Sequence, residues 1–235
     1  HRDEVNNLEY INIEDFSNAD GDELREYLEN TPCDKIVIDM RSNSGGQKSY
    51  GQKYLYPALY SEDVSFSTTW TVPNTEANEV MTKDFWARWD YLSSKDEEFS
   101  YYEDVRKYRG SATGEKKIYY LMGRATGSAA DSFLQMIKQN DLGTIVGGNS
   151  AGEGLGNSYI CHSLKNSVLL YTYYPALTLT EEGVCSSVWG TTPDVYINQT
   201  REDYILEKQY QQDGVADQYE KRLEYDTVLK WVVEQ

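Results

Sequence analysis

The 235-residue sequence is short of histidine, cysteine, cationic side chains and long apolar runs, and each shortage removes a class of function. Only His1 and His162 are present, so a histidine-rich metal site is excluded. Cys33, Cys161 and Cys185 are too few and too dispersed for a disulfide scaffold or a zinc knuckle. Ordinary packing is expected for them, with a Cys161–Cys185 bridge as the alternative. Lysine and arginine total 22 against 39 acidic residues, a formal charge of −17, so the clustered cations that a nucleic-acid partner needs are missing. Such acidity chiefly serves solubility. No stretch approaches the roughly 18 apolar residues that cross a bilayer, and no charged-then-apolar leader opens the chain, so no membrane-spanning segment is expected. The first residue is His1 rather than Met, as in a mature product or a piece of something longer.

What is present supports one α/β domain over residues 1–235, since 39% hydrophobic content at this length buries one substantial core. Leu8 to Phe16 alternates apolar and polar residues as a half-buried strand does, and Asp20 to Asn30 follows with helical spacing. Ile36, Val37 and Ile38 form a β-branched run typical of a central strand covered on both faces. Further strands are expected at Lys117 to Met122 and Thr144 to Gly147, with a helix from Ser128 to Asn140 between them. A β-rich stretch at Val168 to Thr180 and a single amphipathic helix at Asp217 to Glu234 complete the pattern, which is that of a sheet with helices packed on it. The segment from about 61 to 114 differs, carrying Trp70, Trp86, Trp89, Tyr101 and Tyr102, and is read as an elaboration of the core, a lid or groove wall.

Two stretches carry chemistry. In Asp39-Met40-Arg41-Ser42-Asn43-Ser44-Gly45-Gly46, paired glycines beyond a central strand let backbone amides point inward at an oxyanion. A plain tight turn is the competing explanation. In Gly123-Arg124-Ala125-Thr126-Gly127-Ser128-Ala129-Ala130-Asp131, a strand ending in small residues turns into a helix and puts Ser128 where unpaired amides favour negative charge. That is nucleophile geometry and equally the geometry of an N-cap.

Together the two stretches resemble the Asp-x-Arg-x-Asn-x-Gly-Gly and Ser-Ala-x-Glu/Asp motifs of the C-terminal processing (tail-specific) serine proteases, the group that includes tricorn protease. Tyr10 to Ile13, Ile145-Val146-Gly147 and Thr192-Pro193-Asp194-Val195 are similar to the family's opening strand, its Val-Gly-Glu stretch and its closing Pro-Asp-Val/Ile signature, in that order. The resemblance runs from about residue 8 to 197 and leaves the aromatic insertion unmatched. It implies a ClpP/crotonase-like spiral of β-sheets with packed helices, Ser128 as nucleophile, and an oxyanion hole from the amides of Ala129 and of Gly45 or Gly46. Asp39 and Arg41 are expected to hold the turn by internal hydrogen bonds. It also implies a peptide or protein substrate, an extracytoplasmic location and no cofactor or metal; oligomeric state stays open.

The sequence departs from the pattern at the general base. Where the Lys-dependent branch has its Lys, alignment puts Glu153, and where that branch has a partner Gln, Asn157. A carboxylate of ordinary pKa about 4.3 is a poor base at neutral pH. The tricorn-related branch, which uses Ser, His and Glu, fits better, but its His lies upstream of the opening strand and its Glu would fall near Ser186 or Ser187, with Glu181 and Glu182 a little earlier. His1 and His162 are the histidines on offer; Lys138 would project away from Ser128. The leading expectation is therefore a serine endopeptidase or carboxyl-terminal processing peptidase whose base comes from an upstream segment. The alternatives are a non-catalytic pseudopeptidase that binds extended peptides and a crotonase-type acyl-CoA enzyme. No PDZ domain is recognisable, and Asn198-Gln199-Thr200 matches a glycosylation sequon.

Overall fold

A computed structural model describes residues 1–17, 20–76, 78, 92–152, 160–174, 176–180 and 182–235 of the chain. A short edge strand β1 (Arg2–Asp3) leads into β2 (Leu8–Asn12), helix α1 (Gly21–Glu29) and β3 (Lys35–Asp39). A π-helical turn, Gly51–Leu55, continues as α2 (Tyr56–Leu59), followed by β4 (Val64–Pro73), β5 (Leu92–Lys95), β6 (Phe99–Tyr108) and β7 (Lys117–Met122). Helix α3 (Ala129–Gln139), β8 (Thr144–Gly147), β9 (Ile160–Ser163), β10 (Leu170–Tyr173), β11 (Leu177–Leu179), α4 (Ser186–Trp189) and β12 (Val195–Tyr196) come next. Helices α5 (Arg201–Gln212), α6 (Tyr219–Tyr225) and α7 (Thr227–Val233) close the chain.

The main sheet has the order β1-β2-β3-β7-β8-β12, with all strands parallel from β2 onward. Alternation divides its side chains between two cores, as the pleat requires. Ile36, Ile38, Ile118, Tyr120 and Ile145 face α1, α2 and α3, where Leu28, Phe133, Leu134 and Ile137 close on them. Val37, Tyr119, Leu121 and Val146 face the other way, onto Val228, Leu229 and Val232 of α7. Each of these fully buried side chains contributes about 1.5–3 kcal/mol. Cover on both faces is what the continuous Ile-Val-Ile run predicted.

The 61–114 segment supplies three strands of a second, antiparallel sheet of order β11-β4-β6-β5, in which Val64–Pro73 pairs with Phe99–Tyr108 along its whole length and Leu177–Leu179 adds the fourth strand. Trp86 and Trp89 lie outside the described residues. Strand β9 and strand β10 form a separate two-stranded ribbon.

Two expectations are corrected. The strand opened at Leu8 ends at Asn12, and Phe16 instead makes an isolated parallel bridge to Gly46. The C-terminal helix is two helices, because Asp226 takes an extended backbone conformation (ψ 97°) and uses its side chain to accept the Leu229 amide, capping α7. Helix α5 was not expected at all. The three cysteines are free thiols, so the Cys161–Cys185 bridge is absent. Among the described residues no helix is long and apolar enough to cross a membrane.

Candidate active site

Three loops leave neighbouring parallel strands on the same side of the main sheet: 40–46 after β3, 123–128 after β7 and 148–152 after β8. Their backbones interlock. Gly127 donates its amide to the Asn43 carbonyl (3.0 Å), Ser128 donates to the Gly152 carbonyl (2.8 Å), and Ala151 donates to the Thr126 carbonyl (2.7 Å). The Thr126 hydroxyl donates to the Met40 carbonyl at 2.7 Å and accepts the Gly123 amide at 3.1 Å, tying the first loop to the second. Phe16 then pins the glycine pair, giving its amide to the Gly45 carbonyl and taking the Gln47 amide on its own, both at 2.8 Å.

Ser128 stands at the head of α3 with φ 51° and ψ −123°, a region that costs a non-glycine residue about 1–3 kcal/mol. Its side chain makes no capping hydrogen bond. The cap explanation of the sequence therefore fails for a geometric reason: an N-cap holds an extended φ, and this residue does not. The hydroxyl is half-buried and has no hydrogen-bond partner among the described residues. Ala129 supplies the first unpaired amide of the helix, where the helix dipole favours negative charge.

Gly45 touches this serine directly. A Cβ built on it would lie 2.6 Å from Ser128 Cβ and 3.0 Å from the Ala129 nitrogen, so only glycine fits, and its φ of 110° requires one too. The structure thus brings Gly45, Ser128 and Ala129 together, with Gly46 next in the chain. It also separates the two glycines. The Gly45 amide is donated to Asn43 Oδ1 at 2.9 Å, whereas the exposed Gly46 has no amide partner among the described residues. Of the pair, Gly46 is the one with a donor to spare. The carboxamide nitrogen of Asn43 is buried and unpartnered among the described residues.

Behind the site lies a buried polar hub that sequence reasoning missed. The Ser150 hydroxyl donates to Asp131 Oδ1 and accepts the amides of Thr191 (2.7 Å) and Gly152 (3.2 Å). Gln135 donates to Asp131 Oδ2 at 2.7 Å and to the Ser186 hydroxyl at 2.9 Å. Asp131 lies on the first turn of α3 and Gly152 holds the Ser128 amide, so the hub fixes both sides of the serine. Nothing in the sequence flags Ser150, an ordinary serine in a glycine-rich loop.

Asp39 and Arg41 hold the first loop, as expected. Arg41 donates from Nε to Asp39 Oδ1 (2.9 Å) and from Nη1 to Asp226 Oδ1 (2.9 Å), and its Nη2 bridges both carboxylates at 2.5 Å. The Tyr10 hydroxyl donates to Asp39 Oδ2 at 2.6 Å. Burial opposes ionisation of Asp39, but the charge and hydrogen bonds of Arg41 and the bond from Tyr10 outweigh it and hold the carboxyl below its ordinary value. Burial, reinforced by the Asp39 charge, pushes the Tyr10 phenol upward.

The base candidates fare differently. The His1 ring stacks on Tyr219 at 4.3 Å and its Nε2 lies 3.7 Å from Glu220, which puts it on the α7 face of the sheet, opposite α3. Lys138 bonds the Thr192 carbonyl at 2.7 Å near the far end of α3. His162 is paired with Tyr171 in the β9–β10 ribbon, and its side chain lies outside the described residues, as do Glu153, Asn157 and Glu181. Ser186 and Ser187, where the resemblance expects a Glu, are packed on Gly152: a Cβ there would come 2.2 Å from the Ser186 carbonyl oxygen. Among the described residues no group of three His, Cys, Asp or Glu could hold a metal ion.

Residues 7–197 match the family model of peptidase family S41. No curated protein matches the sequence. Among solved structures, a candidate peptidase from Parabacteroides merdae is similar at 16% identity and a TM-score of 0.63, over 87% of this chain and 58% of its own. Mature CPAF in complex with lactacystin is similar at 17% identity and a TM-score of 0.62, over 97% of this chain and 52% of its own. The photosystem II D1 C-terminal processing protease is similar at 17% identity and a TM-score of 0.53, over 81% of this chain and 42% of its own. The chain thus spans roughly half the length of these relatives, and at such identities the likeness is one of fold, the ClpP/crotonase-like fold.

Proposed function

The chain belongs to peptidase family S41, and from that premise we propose that it hydrolyses peptide bonds by acyl transfer through Ser128. The Ser128 oxygen adds to the substrate carbonyl and loses its proton to a base; that proton passes to the leaving amine, and water then releases the acyl group. The amides of Ala129 and Gly46 receive the negative charge of the tetrahedral intermediate, and loss of one such donor typically costs about a hundredfold or more in rate. The base comes from outside the described residues. The observation that carries this reading is the Ser128 backbone itself: strain at a helix head that leaves a side-chain hydroxyl uncapped, beside a glycine that admits no side chain, suits attack on a carbonyl and serves no capping purpose.

One observation favours a second reading, a pseudopeptidase that holds extended segments by strand addition: Glu153 aligns with the Lys of the Lys-dependent branch. The family match speaks against the acyl-CoA alternative. Incubation of the full-length protein with an unstructured protein substrate separates the two that remain. The peptidase reading expects new termini by mass spectrometry with wild type and none with Ser128→Ala. Saturable peptide binding by wild type without any cleavage would replace it with the pseudopeptidase.

A further inference from the structure

A cavity of about 400 Å³ opens where β7, β8 and β12, three adjacent parallel strands, end at Met122, Gly147 and Tyr196. The carboxyl ends of parallel strands are where open α/β sheets take their ligands. The three loops that build the Ser128 site also wall this cavity, through Arg41, through Gly123 and Arg124, and through Gly148 and Asn149. Arg124 is only four residues from Ser128, which keeps their Cα atoms within about 14 Å even if that segment were fully extended.

The chemistry of the lining is unusual for this protein. The chain carries 39 acidic residues, yet none of the residues lining the cavity is acidic. The two arginines in it are not equivalent. Arg41 is neutralised by Asp39 and Asp226, both almost fully buried. Arg124 is exposed and has no ion pair or hydrogen bond among the described residues; it shares this with Arg109 and Arg201, neither of which lines the cavity, whereas Arg2, Arg25, Arg106 and Arg222 each have a carboxylate partner. Asn198, also in the lining, has a carboxamide with no partner among the described residues, whereas both ends of Gln199 are spent on Tyr225 and Thr227. The exposed Tyr196 ring and the buried Val228 supply apolar wall. An uncompensated guanidinium, a spare carboxamide and no competing acid describe a receptor for an oxyanion, and the oxyanion a peptide offers is a carboxylate, whose two oxygens a guanidinium can engage together.

We propose that this cavity is a carboxylate subsite for the peptide substrate, with the Arg124 guanidinium as its recognising group. The inference rests on the peptidase reading for the identity of the ligand as a peptide. The carboxylate has two possible sources, the free C-terminus of the substrate and an Asp or Glu side chain beside the scissile bond, and both offer the same two oxygens.

The test measures binding, so that it does not depend on turnover. Fluorescent peptides of one sequence are prepared with a free C-terminus, with an amidated C-terminus, and with a single internal Glu or Gln, and their affinities for the full-length Ser128→Ala protein are read by anisotropy. A preference of about tenfold for a carboxylate form over its neutral twin is expected, shrinking as salt is added. The free-terminus pair and the Glu/Gln pair report the two sources separately. With Arg124→Ala added, the preference falls to about one; with Arg124→Lys it is partly kept, because the charge survives without the planar fork. Equal binding of every twin to the arginine-containing protein, or a preference that survives Arg124→Ala, overturns the subsite. Failure of the peptidase reading looks different: an Arg124-dependent preference would persist while Ser128 in the wild-type protein showed no acylation.

Discussion

Gly45 and Ser128, far apart in the chain, approach so closely that a methyl group on the first would stand 2.6 Å from the Cβ of the second. Real Cβ atoms do not sit so near, and the neighbouring atoms are backbone of the same interlocked loops, so neither side can yield cheaply. Gly45→Ala is therefore expected to destabilise the protein by about 3 kcal/mol through overpacking and backbone strain and to remove reactivity at Ser128. Gly114→Ala is the control: its φ of 87° is also positive, but a Cβ there meets nothing within 4 Å, so about 1 kcal/mol of backbone strain is expected and no effect on the site. Urea unfolding midpoints of the two variants check the contrast.

Ser150 carries a prediction of a different kind. Its hydroxyl serves Asp131, Thr191 and Gly152 at once, so Ser150→Ala leaves a buried carboxylate and two amides short of a partner. A loss of about 1–3 kcal/mol is expected. Because Gly152 anchors the Ser128 amide, Ser128 should also react more slowly with an acylating or phosphonylating probe under conditions where the variant is fully folded.

Asp226 joins the end of the chain to the loop that carries the glycines. Asp226→Ala removes the second carboxylate of Arg41 and the cap of α7 together, and breaking a buried pair from one side costs about 3 kcal/mol or more. Thermal denaturation of the variant should show the loss, and Asp226→Asn, which keeps a capping oxygen, should recover part of it.

The depressed carboxyl of Asp39 fixes the sign of a pH effect. A group whose folded value lies below its unfolded value, about 3.9, stabilises fully above the unfolded value, and that contribution is lost as pH falls through it toward the folded value. The stability gap between wild type and Asp39→Asn should thus be constant above about pH 5 and narrow below about pH 4. Urea titrations at several pH values measure it; a gap that widens on acidification would contradict the assignment.

The parts of the fold that could be read in the sequence are those where local pattern and tertiary role coincide. Ile36, Val37 and Ile38 announce a strand covered on both sides because both of its faces are in fact covered. The stretch around Ser128 was legible as a site because small residues there admit the neighbouring loops. Helix α5 was not legible, since it buries no residue and so leaves no apolar stripe. The break at Asp226 was hidden for the opposite reason: the apolar pattern continues across it, and what marks the break is the extended backbone of Asp226, whose carboxylate caps α7 and pairs with the distant Arg41. Whether Ser128 caps its helix is likewise undecided by residue type, because that depends on its φ.

The most direct measurement is a peptide map of the full-length protein after treatment with a fluorophosphonate. A phosphonyl adduct on Ser128, absent from the Ser128→Ala protein, is the predicted result. An intact, folded wild-type protein that carries no adduct, or carries it on another residue, would contradict the nucleophile assignment.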